Sequence, residues 1–192
     1  MQAKNTFSYV LKIFIPLLLI CAVVAGVISG ISVLTKDKIA ENEAMVEAQK
    51  EEKKLAAITE IFGEGVEFTK LSEMPEDIDE IRTATGKDGE LLATVTLTVK
   101  GYAAGLQVFV AFGDGGEVRR VMVLSSNETT GIGSKVSNTD YLAGYNGLEA
   151  PVEFKKGIDK IAGATVSSKA VLGAVNRAAE VYGELNKTGG VS

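Results

Sequence analysis

Thr165 lies just ahead of a predicted helix, and its surroundings suit covalent chemistry better than those of any other residue in the sequence. Small residues at 162–164 leave the hydroxyl of Thr165 sterically open, and a helix is predicted over about Ser168 to Leu185. The free N–H groups of a helix's first turn and the helix dipole both favour negative charge. A phosphate at Thr165 would therefore be stabilised. The alternative that the pattern leaves open is that Thr165 or Ser167 only caps the helix, because Ser and Thr are the usual caps.

Three short runs of apolar residues predict the strands that would position this threonine. Residues 94–99 alternate Thr with Val or Leu, and the runs 106–112 and 118–124 are rich in Val and Phe. Turn sequences at 87–89 and 113–116 contain Asp and Gly, which favour tight hairpins. Neighbouring strands should therefore be antiparallel.

Two helices are predicted after the strands. A short one covers Thr139 to Ala143, and the longer one ahead of which Thr165 lies has an apolar face at helical spacing. That face consists of Val171, Ala174, Val175, Ala178, Val181 and Tyr182. The predicted fold class is α+β, with an antiparallel sheet and packed helices, preceded by one N-terminal transmembrane helix and a helical stalk.

The N-terminal part of the chain predicts a membrane anchor. Ile13 to Leu34 form 22 consecutive positions without a charge, and a membrane span needs about 20 apolar residues. A cleaved signal peptide and a lipoprotein anchor at Cys21 are the alternatives, and the length of the run disfavours the first of these. Beyond the span, the sequence is rich in Glu, Lys and Ala, which is typical of a solvated helix. The predicted organisation is a tail and transmembrane helix over 1–35, a stalk over 36–60 and a globular domain over 61–192.

Composition excludes several kinds of chemistry. The chain has no His and one Cys, so it holds no Cys-rich zinc site, no four-thiolate iron–sulfur cluster and no His-based catalytic triad. No metal site and no catalytic residue are predicted. The chain has 20 Lys and Arg, of which Lys4 and Lys12 precede the stalk. Beyond residue 35 there are therefore 18 basic residues and 25 acidic ones. This acidic balance argues against a nucleic-acid partner.

The segment around Thr165 carries a resemblance to a known family. Asp159 to Ser167, with the pattern Asp-x-x-x-Gly-Ala-Thr-x-Ser, resembles the attachment motif of FMN-binding domains in the Rnf and Nqr electron-transport complexes. In those families a flavin transferase uses FAD to esterify the motif's threonine with the 5′-phosphate of FMN. The resemblance implies Thr165 as the attachment site, with Asp159, Gly163, Ala164 and Ser167 as motif positions. Ala162 departs from the pattern, because the families usually have Ser or Thr there.

Two further segments support the resemblance. Asn127 to Lys135 is similar to the families' Glu-Thr-Pro-Gly-x-Gly segment, with Thr130 in place of Pro, and Gly101 to Leu106 resembles their turn beginning Gly-Tyr. The length of the chain favours the G subunit of the Rnf complex over its longer counterpart in Nqr. The implied flavin contacts in this part of the chain are Glu128, Thr129, Gly131, Ile132, Gly133 and Lys135.

The residues of the Asn127 to Lys135 segment also suit a flavin in their own right. Gly131 and Gly133 would let backbone approach a flat ring, and Ile132 could pack on its face. Lys135 could place positive charge near the ring, which would stabilise a reduced, anionic flavin. The alternative is a solvated surface loop, since glycine-rich loops are common.

The resemblance implies a function in membrane-bound electron transfer. The expected protein is a single-pass, membrane-anchored flavoprotein that relays electrons through one covalent FMN within an Rnf-type translocase, with no substrate turnover of its own. Its expected partners are the other membrane subunits of the complex and, during maturation, a flavin transferase; its domain would lie outside the cytoplasm. The alternative is a membrane-anchored sensor or binding module that holds a ligand reversibly.

Overall fold

The structure, a computed structural model, describes residues 3–156 and 158–188, with side chains from residue 12 onward. Gly157, at the start of the segment that contains Thr165, lies outside the described residues. So do residues 1–2 of the predicted tail and residues 189–192 of the predicted domain. The chain divides into two compact units, the first ending at Glu51 and the second beginning at Glu52.

The first unit is helical throughout its described length. Helix α1 extends over Ala3–Phe62, so it includes the apolar run and continues into the second unit. The side chains from Ile13 to Leu34 are all exposed. Within the described chain, α1 is the one helix whose length and composition would let it cross a membrane.

A five-stranded antiparallel sheet forms the centre of the second unit. Its strands are β1 (Thr69–Lys70), β2 (Glu80–Thr85), β3 (Leu91–Val99), β4 (Leu106–Phe112) and β5 (Val118–Ser125). They lie in the order β1-β2-β3-β4-β5, so each strand pairs with its neighbour in sequence. The predicted α+β class with an antiparallel sheet is confirmed. The three apolar runs became β3, β4 and β5, whereas β1 and β2 were not among the predicted strands.

Two further helices follow the sheet. A 3₁₀ helix over Gly133–Ser137 leads into α2 (Thr139–Ala143), which coincides with the short helix predicted there. The long helix, α3, extends over Thr165–Lys187 and so begins three residues before its predicted start. The sequence pattern suggested Thr165 or Ser167 as the N-cap, but Ala164 occupies that position, so the helix begins earlier. Thr165 is therefore the first residue of α3.

Both faces of the sheet are covered. Val95 and Val110 on one face belong to a buried cluster with Val171 and Val175 of α3, all at 0% exposure. This is the apolar face predicted for that helix. On the other face, a smaller cluster joins Phe109, Ala111 and Leu124 to the last turns of α1 through Ala57 and Ile58. Both clusters fix the sheet that carries the loops described below.

A buried ion cluster adds a polar contact between the end of α1 and the sheet. Glu80 of β2 accepts hydrogen bonds from Lys54 Nζ (2.9 Å), Arg82 Nε (2.8 Å) and Lys70 Nζ (3.0 Å). The Lys54 and Glu80 side chains are only 6% and 10% exposed. Burial by itself would raise the pKa of Glu80, but the three hydrogen-bonded cations lower it to about 2. Glu80 is therefore ionised at neutral pH.

Tyr182 links α3 to the start of β3 and to the turn after β4, and it provides a test of the fold. Its buried hydroxyl lies 3.1, 2.9 and 3.1 Å from the carbonyl oxygens of Leu91, Gly113 and Asp114, and its single proton can be donated to any of the three. Tyr182→Phe removes the donor but keeps the ring, so unfolding free energy should fall by about 1–2 kcal/mol in urea titrations. Tyr102→Phe, at a side chain 75% exposed, is the matched control and should change nothing measurable. Equal stability of both variants would contradict the role given to the Tyr182 hydroxyl.

Candidate functional site

A cavity of about 450 Å³ lies where three loops of the second unit meet. Its volume falls within the range of about 300–1,000 Å³ that is usual for small-molecule and cofactor sites. The walls come from the β3–β4 turn, the loop after β5 and the start of α3. The lining residues are Tyr102, Glu128, Thr129, Ile132, Gly133, Gly163, Ala164, Thr165, Val166 and Ser167.

Thr165 is presented to this cavity as an exposed side chain at the start of α3. Its hydroxyl makes no hydrogen bond within the described chain, and the N-cap residue Ala164 has no side chain able to make one. The first backbone bond of the helix runs from Ser168 N–H to Ala164 C=O at 2.8 Å. The N–H groups of residues 165–167 have no backbone partner among the described residues, so this end of α3 favours a bound anion.

Ser167 and Ser168, the other hydroxyl residues of the first turn, have structural partners instead. The Ser168 hydroxyl accepts from Ile161 N–H at 3.2 Å, and the Ser167 hydroxyl donates to Glu128 Oε2 at 2.8 Å. Neither Thr165 nor Ser167 therefore acts as the helix cap. Among these three side chains, only that of Thr165 has a hydroxyl without a hydrogen bond in the described structure.

Glu128 connects the three walls of the cavity. It is 7% exposed, and besides the bond from Ser167 its Oε1 accepts from Ala103 N–H at 3.3 Å. Gly101 and Gly133 lie against its carboxylate so closely that a Cβ at either position would clash with it. One buried side chain thus holds the β3–β4 turn, the loop after β5 and the start of α3 together.

Three of the residues implied by the sequence motifs lie outside the cavity lining. Gly131 has a φ of +79° and donates its N–H to Ser134 Oγ at 2.9 Å, so it shapes the loop without lining the cavity. Lys135 lines a separate surface depression with residues that include Tyr141. Asp159 is exposed to solvent. The other eight lie together around the cavity.

Two cavity residues were not among the predicted flavin contacts. Tyr102 belongs to the Gly-Tyr turn that supported the resemblance, and Val166 immediately follows Thr165. Their positions in those motifs were the available signal. Their side chains are 75% and 52% exposed.

The sequence comparison accounts for this combination of motifs. Residues 101–180 match the FMN-binding domain family. This part of the chain is therefore similar to FMN-binding domains. The resemblance predicted from the motifs is confirmed, and every residue that lines the cavity lies within the matched region.

Relatives of the chain are subunits of ion-translocating complexes. It is 32% identical over 126 residues to the G subunit of the Na⁺-translocating ferredoxin:NAD⁺ oxidoreductase complex of Acetobacterium woodii. That alignment covers 60% of this chain and 60% of the relative's length. The chain is 29% identical over 179 residues to the G subunit of the ion-translocating oxidoreductase complex of Haemophilus influenzae, covering 84% of this chain and 83% of the relative. A crystal structure of Shewanella oneidensis NqrC is similar at 19% identity and a TM-score of 0.42, over 56% of this chain and 62% of that one.

The cavity suits FMN in both of the ways that this cofactor requires. The start of α3 offers unpaired N–H groups for a phosphate, and Tyr102, Ile132 and Val166 offer apolar surface for a ring. The charged side chain in the lining, Glu128, is already hydrogen-bonded within the protein. One cavity thus has both a polar end and an apolar end.

Proposed function

We propose that this protein is the membrane-anchored flavoprotein subunit of an ion-translocating ferredoxin:NAD oxidoreductase of the Rnf type. It relays electrons through FMN joined by a phosphoester to Thr165. The observation that carries this proposal is the exposed, uncommitted hydroxyl of Thr165 at the start of α3, inside the cavity of an FMN-binding domain. The relatives in ion-translocating complexes support the role in electron transfer.

The protein's contribution at the attachment site is to present one oxygen and stabilise an anion beside it. The Thr165 oxygen forms the new bond to phosphorus, the phosphoanhydride bond of FAD breaks, AMP leaves and the hydroxyl proton is released. The N–H groups of residues 165–167 stabilise the phosphate in the product. Gly163, with a φ of +82°, shapes the turn that leaves Thr165 open for a flavin transferase to reach.

A covalent bond to FMN suits a protein that only carries electrons and converts no substrate of its own. FMN, once attached, supplies reversible one- and two-electron redox chemistry, while the protein supplies tethering and orientation. Glu128 holds the cavity walls in register through Ser167 and Ala103. A tether also prevents loss of the cofactor by dilution, which is useful for a domain outside the cytoplasm.

Helix α1 provides the membrane anchor in this proposal. Its exposed apolar run is long enough to cross the hydrocarbon core of a bilayer, and relatives of the chain belong to ion-translocating complexes. The other membrane subunits of such a complex are its proposed partners. The proposed location is the cell membrane, with a single pass and the FMN-binding domain outside the cytoplasm.

The location of the domain can be tested by limited proteolysis. Trypsin added to intact spheroplasts should cut the exposed part of α1 after Lys36 or Lys38, because an unpacked polar helix opens locally at little cost. Cleavage after Lys54 should be much slower, since its side chain is buried against Glu80. Immunoblotting of the released domain is the measurement. Protection in spheroplasts with cleavage only after lysis would place the domain in the cytoplasm.

Covalent attachment is tested on the denatured chain. After co-production with a flavin transferase and FAD, the unfolded polypeptide should retain yellow colour and flavin fluorescence on a denaturing gel. Peptide mass spectrometry should find one FMN less water on the peptide that contains Thr165. A reversible ligand would separate from the unfolded chain, so a colourless polypeptide would favour the sensor or binding-module alternative.

A further inference from the structure

Four exposed lysines near the cavity form no ion pair within the described chain. They are Lys100, Lys135, Lys160 and Lys169, and together they are called the lysine rim below. All four arginines of the chain, by contrast, are paired with a carboxylate. The positive charge of the lysine rim is therefore not balanced by neighbouring side chains and is available to a partner.

Two lysines of the rim belong to segments that form the cavity wall. Lys100 directly precedes the β3–β4 turn, whose Tyr102 lines the cavity. Lys169 lies four residues after Thr165 in α3, and residues at that spacing project from the same face of a helix. Both ammonium groups therefore belong to the side of the domain on which the cavity opens.

The other two lysines lie beside a neighbouring surface depression. Lys135 lines that depression together with Ile161, and Lys160 directly precedes Ile161 in the chain. The Lys160 ammonium is 5.0 Å from the centroid of the Phe154 ring, a contact that leaves its charge in place. Asp159 is the exposed acidic residue of this segment, and it has no ion pair with either lysine in the described chain.

The wall segments are basic in a unit that is otherwise acidic. Residues 100–105, 126–137 and 158–169 contain four Lys and two acidic residues, of which Glu128 is buried. The rest of the second unit, from residue 52 onward, contains 11 Lys and Arg and 18 Asp and Glu. A phosphodiester at Thr165 would carry one negative charge. The flavin by itself therefore does not account for the lysine rim.

We infer that the lysine rim is the docking surface for an acidic patch on another subunit that exchanges electrons with the flavin; this rests on the proposed function. Electron transfer weakens steeply with distance, so such a subunit must approach the face on which Thr165 lies. Opposite charges on the two surfaces speed the encounter and fix its orientation. A bilayer on the rim is disfavoured, because it would keep a protein partner away from the flavin.

The test is zero-length cross-linking of the whole complex in its native membranes. A water-soluble carbodiimide joins a lysine amine to a carboxylate that touches it; an amide forms, and the carbodiimide takes up the water that is lost. Peptide mass spectrometry then identifies both residues. We expect amides between the lysine rim and Asp or Glu of another subunit, and their loss at about 1 M salt, where the screening length is about 3 Å.

Lys87 and Lys187 are the matched controls and should form no such amides. Lys87 lies in the β2–β3 turn, at the end of β3 opposite to Lys100, and Lys187 ends the helix near whose start Lys169 lies. Both controls are exposed and form no ion pair within the described chain. They therefore match the rim in chemistry and differ from it in position.

Charge reversal gives a second measurement, on the purified complex with flavin content checked. The double variant Lys100→Glu, Lys169→Glu should lower the rate of NAD reduction by reduced ferredoxin at least about fivefold at low salt, and less at high salt. The double variant Lys87→Glu, Lys187→Glu should keep the wild-type rate. Lys100→Arg with Lys169→Arg should also keep it, although these two positions can then form no amide.

Absence of rim amides from an assembled complex with covalent flavin would overturn the inference and leave the proposed function standing. Amides formed as readily by the two control lysines, or an unchanged rate in the rim double variant with Glu, would also overturn it. No amide, with the rim shielded from acetylation when the chain alone is in phosphatidylglycerol but not phosphatidylcholine vesicles, would assign the rim to a lipid surface instead. Absence of covalent flavin from the wild-type chain would overturn the proposed function and the inference together.

Discussion

Thr165→Val should abolish covalent flavin entirely while leaving the fold intact. Valine keeps the volume and the β-branching of threonine but lacks the oxygen that would form the proposed ester. Thr165 is exposed and its hydroxyl has no hydrogen bond within the described chain, so its replacement should change unfolding free energy by less than about 0.5 kcal/mol. In-gel fluorescence of the denatured chain and peptide mass spectrometry measure the attachment, and urea titration measures the fold.

Thr139→Val is the matched control for this substitution. Thr139 is likewise an exposed threonine and the first residue of a helix, α2, but it does not line the cavity. Its replacement should leave the flavin signal at the wild-type level. Flavin retained on Thr165→Val, or an FMN mass on Ser167 or Ser168, would show that another hydroxyl forms the ester.

Glu80→Gln should clearly lower the unfolding free energy of the second unit. The change keeps the size of the side chain but leaves the buried cations Lys54 and Arg82 without the carboxylate that they share. The lowered pKa of Glu80, about 2 against an ordinary 4.5, corresponds to about 3 kcal/mol of unfolding free energy at neutral pH. Urea unfolding in detergent, followed by tyrosine fluorescence because the chain has no Trp, provides the measurement.

The stability lost in Glu80→Gln should depend on pH in a defined direction. Because the pKa of Glu80 is lower in the folded state, its contribution is complete above about pH 4.5 and is lost as the pH falls toward 2. The stability difference between wild type and Glu80→Gln should therefore shrink over that interval. Glu153→Gln, which removes an exposed pair with Lys156, is the control and should cost less than about 0.5 kcal/mol at any pH. A constant difference between wild type and Glu80→Gln would contradict the assigned pKa.

Structural features that depend on residues close together in the chain could be predicted from the sequence. Alternation along 94–99 predicted a strand and the helical spacing of Val171, Val175 and Tyr182 predicted a buried helix face, and both are present. The β2 segment was not predicted, because only Ile81 and Ala84 of its six residues are apolar, too few to form an alternating pattern. The buried Glu80 of this strand accepts a hydrogen bond from Lys54, which lies 26 residues earlier in the chain. A pairing at that distance leaves no periodicity in the sequence.

The sequence by itself determined the apolar run long enough to span a membrane and the short motifs that identify an FMN-binding domain, because both are local properties of the chain. Only the tertiary structure decided which motif residues share a cavity. It placed Lys135 and Asp159 outside the lining and brought in Tyr102 and Val166. The physical reason is that the cavity depends on Glu128, whose carboxylate bonds residues 25 and 39 positions away along the chain. Contacts at such separations are made only when the sheet and α3 pack together.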